Sequence, residues 1–147
     1  MELKFRVQVK IQKPVAEVFD GVYNPKKLTG YFISEASGPL VEGTTVQWAF
    51  SEPPVPPFPV QVRQVIPNAL ILLTWDGGED NAETRVEMRF EPVDAQSTLV
   101  SIAESGWKET PKGLALSYSN CGGWMHMLMC LKAYLEHGIN LREGMYK

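Results

Sequence analysis

The sequence is short of several things that would mark a function. Its 147 residues hold only two cysteines, Cys121 and Cys130, and two histidines. No apolar run approaches the roughly 18 residues of a membrane-spanning helix, so no membrane span is expected. The net charge is −3 and the basic residues are scattered. A nucleic-acid surface needs a basic patch or stripe, so no nucleic-acid partner is expected. The opening MELKFRVQVKIQK alternates apolar and charged residues, unlike a secretion signal. There is no G-x-S-x-G, phosphate loop or dinucleotide fingerprint, and Gly77-Gly78 and Gly122-Gly123 lack the flanking residues of such motifs. With no CxxC or HExxH either, neither a metal nor a cofactor is expected.

The two cysteines lie nine positions apart on one proposed helix, about 13 Å along its axis, whereas a disulfide needs Cα atoms within about 7 Å. Reduced thiols and a cytoplasmic location are therefore expected. His126 and Cys130 are i, i+4 neighbours, an arrangement that serves a reactive thiolate or two ligands of an ion. His137 is about 16 Å further along the helix, so no third ligand is near, and plain packing or partial exposure is the expectation.

What the chain does have is a globular balance, 44% hydrophobic and 21% charged, at a length suited to one domain over 1–147. The first strand alternates strictly, with Leu3, Phe5, Val7, Val9 and Ile11 against charged or polar neighbours. Pro14 starts a helix carrying Val15, Val18, Phe19 and Val22, and Asn24-Pro25 starts a short second one through about Gly30. Strands are then expected over Tyr31 to Ala36 (weakly), Thr44 to Phe50, Val60 to Ile66, Leu70 to Trp75, Thr84 to Glu91 and Thr98 to Glu104. Asp76-Gly77-Gly78 reads as a hairpin-type loop that Glu79 to Ala82 extends. The prolines from Pro53 to Pro59 lack N–H donors, so that stretch is excluded from a central strand. It reads as an ordered edge connection, or less commonly as a polyproline ligand for a partner. Loops too short for crossover helices make the sheet antiparallel.

The organising stretch is Ser119 to Gly138. Trp124, Leu128, Leu131 and Leu135 form one stripe of a helix expected from Asn120 to His137, about 27 Å long. Lys132 and Glu136 pair on a face expected to stay in water, and Gly138 stands where a left-handed cap belongs. Gly122-Gly123 is expected to let the helix start lie close against the sheet. A lone apolar-striped helix in a strand-rich chain must bury that stripe on a sheet, giving an α+β domain of about six to seven strands.

Several local sequences resemble the activator-of-heat-shock-ATPase-like family of the START and polyketide-cyclase superfamily. They are Lys13-Pro14-Val15-Ala16-Glu17-Val18-Phe19, Asn24-Pro25-Lys26-Lys27-Leu28, Leu72-Leu73-Thr74-Trp75, Glu104-Ser105-Gly106-Trp107, and the run from Gly123-Trp124 to Gly138. The resemblance implies the helix-grip fold, a curved antiparallel sheet wrapped around the C-terminal helix. The chain departs from the family's pattern at Tyr31-Phe32, where tryptophan is frequent, and in its proline-rich segment. Superfamily members include lipid carriers, receptors, cyclases and a co-chaperone domain, so the fold alone selects no function.

The expected function is non-catalytic binding of a small, mostly apolar molecule between sheet and helix. Its expected wall is Trp48, Trp75, Met88, Trp107, Tyr118, Trp124, Met127 and Leu128, with Tyr118 and Asn120 as orienting polar groups. Ordinary core packing is the competing account of the same aromatic residues. Two other functions stand beside it: a co-chaperone-like protein docking on a larger ATPase, and a cyclase- or hydrolase-type enzyme using a cavity carboxylate or tyrosine. Glu104 continues the buried pattern of the last strand, although an edge or solvent position is the commoner outcome for such a residue. Met125 and Met129, on the far side of the helix from Trp124, would suit a homodimer contact or cover a neighbouring strand.

Overall fold

The computed structural model describes residues 1–78 and 83–146. The elements are β1 (Lys4–Ile11), α1 (Val15–Tyr23), α2 (Pro25–Leu28), β2 (Glu35–Ala36), β3 (Thr45–Ser51), β4 (Pro54–Ile66), β5 (Leu70–Asp76), β6 (Glu83–Asp94), β7 (Ser97–Ser105) and α3 (Pro111–His137). All seven strands form one antiparallel sheet in the order β1-β7-β6-β5-β4-β3-β2. Register shifts in β3–β4, β4–β5 and β6–β7 supply the bulges that bend such a sheet. The architecture is the α+β helix-grip, with α3 nearest β1 and β7.

Alternation decides which side chains meet α3. Val46 and Trp48, Val60 and Val62, Ile71 and Leu73, Val86 and Met88, and Val100 and Ile102 all point inward and are buried. Trp124, Met127, Leu128 and Leu131 of α3 close the core from the other side. Lys132 and Glu136 fasten the far end of α3 rather than standing free in water. Lys132 Nζ donates to Glu136 Oε2 (2.6 Å) and to the Lys10 carbonyl (2.8 Å), and the Gln12 amide donates to the same carboxylate (2.9 Å).

Four expectations need correction. Helix α3 begins at Pro111, nine positions before Asn120, because Thr110 caps it by accepting the Gly113 amide at 3.0 Å. Its 27 residues make it about 40 Å long. Gly122 and Gly123 consequently fall in mid-helix, where an added Cβ would meet nothing within 4 Å, so they serve no close approach. Tyr31 to Phe32 turns instead of pairing, and only Glu35–Ala36 is strand. The buried Tyr31 hydroxyl donates to the Gly21 carbonyl (3.0 Å), and burial pushes its pKa well above the ordinary tyrosine value.

The proline stretch joins β4 after all, in the way its missing donors allow. Pro54 to Val60 pair with β3 alone, and pairing with β5 begins only at Gln61. The Asp76 carboxylate accepts the Gly78 amide (2.8 Å), opening the expected loop, whose continuation over 79–82 lies outside the described residues. Gly138 takes the left-handed cap conformation at φ 68°.

Candidate functional site

The site is organised by a carboxylate. On β7, Val100, Ile102 and Glu104 alternate inward, so Glu104 lands in the core at 1% exposure instead of at an edge. A buried carboxylate needs partners, and Glu104 has four neutral ones. Its Oε1 accepts the Trp124 indole N–H (2.8 Å), and its Oε2 accepts the Trp75 indole N–H (2.8 Å) and the Thr84 hydroxyl (2.6 Å). The Asn120 amide nitrogen lies 3.2 Å from both oxygens. No cation among the described residues is ion-paired with it. With each indole tied to a different oxygen, the Trp75 and Trp124 rings stack at 5.3 Å and 25°.

These two indoles form part of the wall of a groove of about 540 Å³. Phe32 and Phe50 continue the aromatic surface, Phe32 lying 5.8 Å from Trp124 and 5.3 Å from Phe50, centroid to centroid. Along α3 the wall is unusually low, because Gly122 and Gly123 line it with no side chains. The opposite rim comes from the segment after α3. Arg142 donates to the Glu52 carbonyl (2.9 Å) and lies over the rings of Phe50 (4.9 Å) and Tyr146 (5.0 Å). Tyr146 donates its backbone amide to Glu52 Oε1 (3.1 Å), and its hydroxyl meets His126 Nδ1 at 2.6 Å.

His126 also lines the groove. Burial, and after it the charge of Arg142, holds its pKa below the ordinary histidine value. Cys130 is buried and its thiol is pushed up by burial, so the His126–Cys130 neighbours form no reactive thiolate site. Both cysteines are free, and no group of metal-ligating residues occurs among the described residues.

The nine residues expected at a ligand wall divide among three places. Trp75, Tyr118, Asn120 and Trp124 line the groove. Trp48, Met88, Met127 and Leu128 are sealed in the core between sheet and α3, and Trp107 stacks on Phe5 of β1 at 5.7 Å. The groove thus runs along Tyr118 to His126 of α3, beside the sealed core residues. Phe32, Phe50, His126, Arg142 and Tyr146 were not legible as wall residues. They come from a turn, strand β3, a helix flank and a terminal segment, which no single periodicity connects.

The family described as "Activator of Hsp90 ATPase homolog 1-like protein" matches residues 12–136. The chain belongs to this family. A Staphylococcus saprophyticus protein of known structure is 27% identical to this family member, with a TM-score of 0.77 over 97% of this chain and 96% of its own. The Aha1 dimer from Colwellia psychrerythraea is 23% identical, with a TM-score of 0.76 over 92% and 97% of the two chains. DynU16, from the dynemicin biosynthetic locus, is 24% identical with a TM-score of 0.80 over 95% of this chain but 49% of its own. The last two likenesses are of fold alone. No curated protein matches the sequence.

Proposed function

We propose that the groove binds a small, mostly apolar molecule without transforming it. The observation that carries this reading is Gly122-Gly123. Each glycine inside a helix costs about 1 kcal/mol relative to alanine, and nothing packs where their side chains would stand. A helix that gives up that stability beside an aromatic groove keeps the space open for something else. Binding is favoured over catalysis because the carboxylate, Glu104, already accepts from four donors and sits behind the indoles. A cytoplasmic setting fits the two free thiols, and no helix among the described residues is long and apolar enough to cross a membrane.

The test is a titration with N-phenyl-1-naphthylamine, a neutral apolar fluorophore, read by its own emission and by quenching of Trp75 and Trp124. Saturable binding at one probe per chain is expected. An absence of saturable binding, by this probe and by a broad apolar library in thermal shift, sinks the reading.

A second reading, docking on a larger ATPase or on a second copy of the chain, is favoured by the family's description and by the dimeric Colwellia relative. It predicts that substitution of the exposed Leu114, which is outside the groove lining, abolishes co-purification with a chaperone, or shifts the mass in native mass spectrometry from two chains to one.

A further inference from the structure

We infer that the ligand of this groove is an organic anion, with a ring-bearing apolar body lying on Trp75, Trp124 and Phe32 and its anionic oxygens accepting from the guanidinium of Arg142. The inference rests on the binding reading above and specifies the ligand's chemistry.

Arg142 is the only formally charged side chain on the groove wall among the described residues. Its partners are all neutral: the Glu52 carbonyl at 2.9 Å and the faces of Phe50 and Tyr146. No carboxylate among the described residues is ion-paired with it. Glu52 accepts the Tyr146 amide through Oε1, and both Glu52 and Glu143 line an adjoining hollow of about 310 Å³ that also shares Arg142.

A guanidinium carries five N–H donors in a planar fork suited to two anionic oxygens, and a single carbonyl occupies one of them. The flanking rings fix its plane and cover it from water, which strengthens its pull on an anion in the groove. The other titratable groups on the wall do not offset that charge. His126 is held toward its neutral form by burial and by Arg142 itself. Glu104 stands behind the two indoles with its oxygens already accepting. The groove therefore pairs an apolar floor with one cation at its rim that no carboxylate among the described residues ion-pairs, which suits an aromatic carboxylate or sulfonate better than a neutral hydrocarbon.

Two probes with the same anilinonaphthalene body separate the claims. N-phenyl-1-naphthylamine is neutral, and 8-anilino-1-naphthalenesulfonate carries a sulfonate. On the full chain both are expected to bind at one site and to displace each other. Arg142→Gln is expected to weaken the sulfonate about tenfold and the neutral probe less than twofold, with Arg142→Lys recovering part of the loss. Equal weakening of both probes would mean that Arg142 acts only by holding the rim in place, and overturns the inference. So does an unchanged affinity for the sulfonate. If neither probe binds the wild-type chain, the groove is not a ligand site and both readings fall together.

Discussion

Trp75 and Trp124 stack at 5.3 Å while each donates its indole N–H to a different oxygen of Glu104. One comes from β5 and the other from α3, so this carboxylate joins sheet to helix at the base of the groove. The aromatic wall is therefore a consequence of Glu104, and removing its charge is expected to disturb both indoles at once.

Glu104→Gln keeps the shape but turns an amide N–H₂ toward groups that are themselves donors. Hydrogen bonds to a charged group contribute about 1.5 to 3 kcal/mol each, and unsatisfied buried donors cost more. We expect a loss of about 3 kcal/mol in urea unfolding, together with a shift in tryptophan emission. A loss below about 1 kcal/mol would show that the four donors find other partners.

Gly122→Ala and Gly123→Ala are each expected to raise stability, by about 1 kcal/mol, since both sites are helical and a Cβ there meets nothing. Thermal unfolding of the two single variants checks it. A fall in midpoint would show that the glycines have a structural role.

Gly113→Ala is expected to do the opposite. A Cβ there would come within 2.0 Å of the Lys108 carbonyl oxygen, so the first turn of α3 and its Thr110 cap must shift. The expected cost is about 3 kcal/mol by chemical denaturation.

Acid should weaken the fold in two windows. His126 has a folded pKa below its ordinary 6.5, so the unfolded chain takes up the proton more readily. Stability then falls as pH drops below about 6.5 and levels off beneath the depressed folded value. His126 Nε2 is buried with no hydrogen-bond partner among the described residues, so a proton placed there finds nothing to accept it. His126→Gln should remove this window from a plot of unfolding midpoint against pH. Glu136 acts lower down. Burial alone would raise its pKa, but the bonds from Lys132 and the Gln12 amide hold it below its ordinary 4.5. Its contribution is present above about pH 4.5 and is lost as pH falls through the folded value, and Lys132→Met should flatten that lower window.

Much of the fold was legible because alternation and helical spacing are local. Strands β3, β5, β6 and β7 and the cap at Gly138 follow from single stretches of sequence. The start of α3 was misplaced because Ser119 to Gly123 reads as a polar, glycine-rich break, whereas the effective signal was Thr110-Pro111, a capping residue followed by proline at the first helical position. Half of β4 was missed because proline excludes pairing on two sides but permits it on one. At the site, Trp75 and Trp124 were legible as large aromatic residues, but their shared carboxylate was not. Glu104 lies 29 and 20 positions from them; the sheet register brings it near Trp75, and the packing of α3 on the sheet adds Trp124. Arg142 was illegible for a similar reason: its rim is assembled from segments about 90 residues apart.

The central claim, that the gap at Gly122-Gly123 exists to admit a ligand, is tested most directly by titrating N-phenyl-1-naphthylamine into the wild-type chain and into Gly123→Leu. Leucine suits a helix better than glycine, so the variant should be no less stable, while its side chain fills the groove. The account predicts saturable binding to the wild type and at least about a tenfold loss in the variant. Equal affinity for the two proteins, with both folded, would contradict it.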